Sequence, residues 1–522
     1  MLPASSPAPA TPSTAAHWPS CPTVVDTHHP DWSSFMTSST TDSVVATGLV
    51  IDGATVATPE SIDVYDPAAS RTIIGRAAAA SPEDARRAVA GAHHAFSEWS
   101  ALSVTQRAEL VLAALAALGD SAAERATILV RENGKVLQEA HIDLAVFEMR
   151  CRAAAELADD HRSTRTLAAP PFRTEIHHLP VGVVTIIVPF NWPLAILAAS
   201  LPYALIAGNS VVVKPPPTAP LAVTETLRLM AEQLPPGVLN VITGTNAAVE
   251  PLITDPRVQH VVFTGSTGGG KSIMSLASQS LAKVTLELGG NDPAILLDDV
   301  DLSPATIGSL ITDTFMSTGQ VCMAIKRIYV ARSRHDELVD ALGAALADTR
   351  VGHGLDSRTT MGPLHTGRQR TFVEELLSQA REAGAEVREY GEFVDPTSGT
   401  DGHFLLPSLV VNPSPDLRVV TEEQFGPTAP ILAFDDLDPL IDQLNNDWAG
   451  LCSSVWTADL DRGGAIAQRL RTGTTWINQA NAGACDDRAP FGGFRQSGVG
   501  REMGPDGLHD FTEAHVVTYP NT

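Results

Sequence analysis

The chain of 522 residues is poor in cysteine, in basic residues and in long apolar runs. Its five cysteines, Cys21, Cys151, Cys322, Cys452 and Cys485, stand far apart. That spacing excludes a disulfide-stapled scaffold and a CxxC-type zinc site, and it points to a reducing compartment. No Lys or Arg precedes Arg71. A secretory signal needs a basic start and a mitochondrial transit peptide needs arginine, so neither is expected. No uninterrupted apolar run approaches the ~18 residues of a transmembrane helix. The longest candidate, 194–206, is broken by Pro202. A cytoplasmic protein is the expectation. Against 60 Asp+Glu stand only 35 Lys+Arg, a formal net charge of −25. Such a balance argues against nucleic acid or an anionic membrane as partner, because phosphates need a basic surface.

What is present is ordinary globular composition, 44% hydrophobic and 18% charged. The length suits about three domains. Sixteen of the first twenty residues are Ala, Ser, Pro or Thr. They offer little apolar surface against their ordering entropy, so residues 1–44 read as a disordered tail. Residues 82–99 and 105–118 read as Ala-rich helices, the first capped by Ser81. A helical region continues to about residue 160. Apolar strands then alternate with helices. The strands at 182–188, 210–213, 239–243, 258–263 and 284–288 show no in/out alternation. Helices are expected at 194–205, 221–232, from 247 and after 270. This grammar implies a parallel sheet covered on both faces, an α/β nucleotide-binding architecture with ligands beyond the strand C-termini. A second α/β region runs from about 291 to 496, and residues 515–519 carry a strand signal that needs a partner.

One motif points elsewhere. Gly265-Ser266-Thr267-Gly268-Gly269-Gly270-Lys271-Ser272 matches the phosphate-loop pattern G-x-x-x-x-G-K-[ST] between a strand and a helix. Asp298, after the apolar residues 294–297, mimics a magnesium-binding aspartate. Alone, these favour a nucleoside triphosphatase using Lys271 and Asp298. The plainer reading is a glycine-rich strand-to-helix turn followed by Lys-Ser.

Six further blocks decide between them. Phe315-Met316-Ser317-Thr318-Gly319-Gln320-Val321-Cys322 follows a helical run, and Glu287-Leu288-Gly289-Gly290-Asn291 begins 35 residues before that cysteine. Pro189-Phe190-Asn191-Trp192-Pro193 ends the first parallel strand, and Lys214-Pro215 ends the second. Glu423-Gln424-Phe425-Gly426-Pro427 and Pro490-Phe491-Gly492-Gly493 lie in the C-terminal half. Together these resemble the aldehyde dehydrogenase superfamily, of the NAD(P)-dependent, non-CoA-acylating type, from about residue 48 to 519.

The resemblance implies a chemistry. Cys322 matches the family's nucleophile, a role for which thiolate is well suited near neutral pH. Asn191, with the Cys322 backbone N–H, matches the oxyanion hole. Glu287 matches the general base that hydrolyses the thioester, and its neighbours Leu286 and Leu288 suggest an apolar setting that raises its pKa. Its presence argues against a coenzyme-A-dependent relative. For NAD, Lys214 matches the adenosine-ribose lysine, with Ile187 and Pro189 beside it. Gly265, Ser266 and Gly270 match the pyrophosphate turn at a helix N-terminus. Glu423 and Phe425 match the residues at the nicotinamide ribose and ring. The aldehyde channel would take Phe190, Trp192, Val321, Met323 and Phe491, with the loop 479–487 at its mouth. No metal is implied. The other cysteines read as inert, Cys485 having its thiol pKa raised by Asp486 and Asp487. The implied domains are a Rossmann-like cofactor domain (45–160 and 181–289), a catalytic α/β domain (290–500) and a small β oligomerisation segment (161–180 and 501–522), in a homodimer or homotetramer.

Two departures matter. Pro217 stands where the family commonly has a glutamate that binds the adenosine ribose and repels a 2′-phosphate, so NADP stays open beside NAD. Ser317-Thr318 stand where an asparagine is common before Gly319-Gln320. A third reading, a non-catalytic protein that keeps the fold, is disfavoured by the intact set Cys322, Glu287 and Asn191.

Overall fold

The computed structural model describes residues 44–158, 164–169, 171–395 and 401–520. The tail expected at 1–44, apart from its last residue, and Cys21 lie outside them. Two sheets organise the rest. The first contains β1 (Leu49–Ile51), β2 (Ala54–Val56), β3 (Val183–Ile187), β4 (Ser210–Lys214), β5 (Leu239–Val241), β6 (Val258–Thr264) and β7 (Lys283–Glu287). Its order is Gly498–Val499, β7, β6, β3, β4, β5, β1, β2. The five strands from β7 to β5 run parallel, and β1 and Gly498–Val499 add antiparallel at either side. Successive side chains point to opposite faces. Thus Val184 and Ile186 enter one core while Val183 and Ile187 enter another. This burial on both faces is why the strands are apolar without alternation.

The second sheet holds β8 (Pro293–Leu296), β9 (Arg327–Ala331), β10 (Glu386–Glu389), β11 (Ser408–Val411), β12 (Thr428–Phe434), β13 (Cys452–Trp456) and β14 (Thr474–Ile477). Its order is β10-β11-β12-β9-β8-β13-β14, and only β10 is antiparallel. A separate ribbon pairs Phe172–Pro180 with Thr512–Pro520 on one side and Arg165–Ala169 on the other. Leu179, Phe172 and Val516 are exposed on it. Among the described residues no helix is long and apolar enough to cross a membrane.

The helices follow their local signals. α1 (Pro82–Ala101) opens with a capping box: Asp84 N–H donates to Ser81 Oγ at 3.2 Å, and Ser81 N–H donates to Asp84 Oδ2 at 3.0 Å. α2 is Val104–Ala116. The helical region expected to reach residue 160 is two helices, α3 (Ala122–Asn133) and α4 (Leu137–Glu156). Gly134, at φ 97°, ends α3 in the left-handed cap that glycine favours. The helix expected at 194–205 is also two, α5 (Pro193–Leu197) and α6 (Leu201–Ala207). Pro202 has no N–H to continue the ladder from α5 and is tolerated only in a first turn. α7 is Leu221–Ala231. The helix expected from 247 is likewise split at Pro251, into Asn246–Val249 and Pro251–Thr254.

One buried ion pair fixes the start of α4 relative to α5. Lys135 Nζ lies 2.9 Å from Asp143 Oδ2, and neither side chain is exposed. The other carboxylate oxygen accepts the Ala195 N–H at 2.7 Å, in the first turn of α5. Lys135→Met would leave Asp143 buried and uncompensated. It should cost about 3–5 kcal/mol, read as a lower urea midpoint with an unchanged slope.

Candidate active site

The nucleophile candidate lies on a strained turn. α8 (Thr267–Ala277) belongs to the first sheet, while α9 (Pro304–Phe315) feeds the second. Beyond α9, Ser317, Thr318 and Gly319 take φ values of 51°, 60° and 72°. Positive φ at a β-branched residue such as Thr318 is an outlier, costing about 1–3 kcal/mol. Surrounding groups impose it. Ser317 N–H donates to Glu139 Oε1 at 2.7 Å, Thr318 Oγ1 donates to the Gly362 carbonyl at 2.9 Å, and Gln320 Nε2 donates to the Ser317 carbonyl at 3.0 Å. The next turn carries Cys322, half-buried.

Asn191 reaches this loop from the first sheet. Its Nδ2 donates to the Gln320 carbonyl at 2.9 Å. Its own carbonyl accepts from Asn133 Nδ2 at 3.3 Å, and the Phe190 carbonyl accepts from the same amide. An amide nitrogen has two N–H groups, so one remains for a ligand. Among the described residues the Cys322 N–H has no acceptor.

Glu287 ends β7, buried, with neither carboxylate oxygen hydrogen-bonded. Burial raises its pKa well above the ordinary range, and Glu502 adds to this; Arg501 and the nearby Gly493 amide oppose. Glu423 Oε1 accepts the Gly290 N–H at 3.3 Å. A Cβ on Gly289 would stand 2.1 Å from the other Glu423 oxygen, so the glycine is what admits this carboxylate. Burial pushes the Glu423 pKa up to about 7, with Lys326 opposing.

Lys326 is the residue that motif reading missed. Its buried ammonium donates to the Gly319 carbonyl at 3.4 Å and to the Val321 carbonyl, and it sits 5.3 Å from the Phe425 ring centre. Burial lowers its pKa, while Glu423, Asp292 and Cys322 pull the other way. Conversely, burial first, then Glu423, Asp292 and Glu287, push the Cys322 thiol up to about 12, and Lys326 opposes them. The signal was available: Lys326-Arg327 interrupts an otherwise apolar run entering β9.

On the cofactor side, Ile187 and Lys214 are register partners at the ends of β3 and β4, with Pro189 two residues beyond Ile187. Among the described residues buried Lys214 has no ion pair, and burial lowers its pKa to about 8. Gly265 and Ser266 lead into α8, which starts earlier than expected because Ser266 Oγ caps it, accepting the Gly269 N–H at 3.2 Å. At Gly270 a Cβ would meet Leu288 at 2.6 Å, so this glycine permits the helix to lie on the strand's end. Lys271 bonds Gln496 at 2.9 Å, whereas Asp298 pairs with Arg462 at 2.8 Å after β8 of the other sheet. The phosphate-loop pair is therefore not assembled.

The aromatic candidates divide. Phe190 stacks on His365 at 4.1 Å and meets Phe425 edge-on at 6.2 Å. Trp192 and Val321 share an apolar cluster with Ala195 and Ala324, on which Met323 packs. Phe491 packs against one core of each sheet. Cys485 lies 3.8 Å from Arg150 Nη2; burial leads in pushing its thiol up to about 11, with Asp487 and Asp486 adding to it. Among the described residues no His, Cys, Asp or Glu cluster could hold a metal ion.

A Rossmann-like sheet with Lys214 and Glu287 at its strand ends, joined to a half-buried thiol of a second sheet, has the form of an α/β dehydrogenase. Residues 55–517 match the aldehyde dehydrogenase family. The chain belongs to that family and is an oxidoreductase that oxidises aldehydes with NAD(P) as acceptor. It is 34% identical over 445 residues to betaine aldehyde dehydrogenase of Bacillus subtilis, covering 84% of this chain and 90% of that one. It is 32% identical over 460 residues to lactaldehyde dehydrogenase of Escherichia coli, covering 87% and 94%. A solved lactaldehyde dehydrogenase superposes with a TM-score of 0.87 at 31% identity, over 92% of this chain and all of that one. A betaine aldehyde dehydrogenase from Staphylococcus aureus, in complex with NAD+, gives 0.86 at 31% identity over 91% and 94%.

Removing Lys326, the cation that favours the Cys322 thiolate among the described residues, should make alkylation harder. Lys326→Met is expected to slow iodoacetamide modification of Cys322 about tenfold at pH 7 and to move its pH midpoint upward. Lys326→Arg should restore it. An unchanged pH profile would mean that the lysine only packs.

Proposed function

We propose that Cys322 adds as thiolate to the aldehyde carbon while the second Asn191 N–H and the Cys322 N–H receive the oxyanion. The bond between Asn191 and Gln320, which leaves those two donors beside the thiol, is the observation that carries this reading. NAD, when bound, supplies the acceptor for the hydride that leaves the adduct. Glu287 then takes a proton from the water that cleaves the thioester on Sγ, returning the thiol and releasing the carboxylic acid. Its two buried, unpartnered oxygens support that role. The residues fit the dinucleotide. Lys214 is buried and has no ion pair among the described residues, the capped start of α8 offers N–H groups, and Gly289 leaves room for Glu423. Lys326 holds the nucleophile turn by two of its carbonyls. The exposed apolar residues of the ribbon support a homodimer or homotetramer.

Cys322→Ser should lose at least a thousandfold in turnover; near-normal turnover would remove Cys322 from the mechanism. Glu287→Gln should keep a first-turnover burst of reduced cofactor and lose about 10²–10⁴-fold in the steady state. A base must be deprotonated to act. The raised Glu287 pKa therefore moves the rise of hydrolysis with pH above the ordinary carboxylate range, and the Gln variant should flatten that limb.

NAD is the proposed acceptor, with NADP also accepted, because no carboxylate stands at Pro217 to repel a 2′-phosphate. Pro217→Glu should lower the NADP-to-NAD ratio of kcat/KM at least tenfold. An unchanged ratio would move cofactor choice elsewhere.

A further inference from the structure

Five apolar side chains beside the nucleophile turn are incompletely covered. Ile142, Val146, Ile196, Met316 and Met323 each pack on the cluster of Trp192, Ala195, Val321 and Ala324 yet keep part of their surface open. Cys322 lies between two of these residues in the chain, Val321 and Met323. On α4, Ile142, Val146 and Met149 fall at i, i+4 and i+7, one face of the helix. Met149, at the outer end, is 40% exposed. Seven residues of helix rise make a track of roughly 10 Å.

The charges beside this track are already engaged. Lys135 pairs with Asp143 and lies 4.0 Å over the Trp192 ring. Arg150 pairs with Asp487 at 3.1 Å and donates to the Ala195 carbonyl at 2.8 Å. Burial lowers the His141 pKa, which disfavours its charged form. Along Ile142 and Val146 a carboxylate or sulfonate on the substrate would meet only these buried, paired cations, the exposed Arg152 lying past Met149 at the outer end. A quaternary ammonium would meet a ring that already holds an ammonium. The unmatched buried polar atoms near the track include the Trp192 indole N–H, Asp487 Oδ2, the Tyr203 hydroxyl and Ser317 Oγ, scattered over separate segments and no lining for a polyhydroxylated chain.

We infer that this site takes an aldehyde that is uncharged and apolar beyond its carbonyl, a medium-length alkyl or an aryl aldehyde. The inference rests on the reading of Cys322 as nucleophile. It separates this chain from what the names of its betaine aldehyde and lactaldehyde relatives describe.

The test uses the full chain with NAD and a series from propanal to octanal, benzaldehyde, betaine aldehyde, lactaldehyde and succinate semialdehyde. kcat/KM should increase about three- to fourfold per methylene until the track is filled. The charged and hydroxylated aldehydes should fall at least a hundredfold below hexanal. Val146→Glu should depress hexanal at least tenfold more than propanal, whereas Val146→Leu should keep the wild-type order. A flat series, or a charged or hydroxylated aldehyde as the best substrate, would overturn the inference. A binding arm needs no turnover: hexanamide should shield Cys322 from iodoacetamide and succinamate should not. Shielding by hexanamide without oxidation of any aldehyde would support the apolar track and overturn the catalytic reading alone. Equal shielding by both amides would overturn the track.

Discussion

The hydrogen bond from the Asn191 side chain to the Gln320 carbonyl joins the two halves of the molecule where chemistry is proposed. Asn191 belongs to the turn after β3, and Gln320 to the turn between α9 and β9. Neither sheet alone brings a thiol and a spare amide donor together. The Gln320 side chain reinforces the junction, since its Nε2 holds the Ser317 carbonyl and its Oε1 accepts the His365 N–H at 3.0 Å. Ser317 and Thr318 store about 1–3 kcal/mol each in left-handed backbone. Such strain persists only when several partners over-determine it, and here they come from α4, from the 362–365 loop and from Asn191. Phe425, at φ 47°, is a third non-glycine outlier at the same site.

The second constraint is buried charge. Cys322, Glu287, Glu423, Asp292 and Lys326 share a region from which water is largely excluded. Three carboxyl groups, Glu423, Asp292 and Glu287, face the thiol, two of them also face the Lys326 ammonium, and each carboxylate that ionises raises the cost of a thiolate. Leaving both Glu287 oxygens unpaired costs folding energy, of order 1–3 kcal/mol per group. An apolar core would avoid that cost, but it could not supply a base of raised pKa. Lys326 offsets part of the cost through the Val321 and Gly319 carbonyls, which also fixes the turn that carries the thiol. Stability and reactivity are therefore set by the same side chain.

Features encoded by neighbours in sequence were legible. The parallel strands were visible because burial on both faces makes them continuously apolar, and α1 because Ser81 and Asp84 form its cap locally. Cys322, Glu287 and Asn191 were legible as motif residues, each at the end of a recognisable strand or helix. What depended on distant contacts was not. Lys326 belongs to none of the six blocks, and its place at the site follows from the Gly319 and Val321 carbonyls around its ammonium. Phe190 lies among apolar neighbours in sequence, yet it stacks on His365, 175 residues away. The helix breaks at residues 198–200 and at Gly134 were signalled by Pro202 and by the glycine itself, and the longer apolar pattern masked them.

The phosphate-loop match shows why local pattern and function separate. A strand, a glycine-rich turn and a helix N-terminus make a set of N–H groups that suits any phosphate, and this chain has that set at residues 265–270. A triphosphatase needs in addition a lysine over the phosphates and an aspartate near the metal. Here Lys271 points to Gln496 and Asp298 to Arg462, so the glycine-rich turn is present without the chemistry of a triphosphatase. The same distinction resolves the net charge of −25. Charges beyond about 10 Å are screened at ordinary salt. Under the proposed reading an anionic cofactor would meet the α8 N-terminus and the buried Lys214, and an acidic surface farther away would have little effect on it.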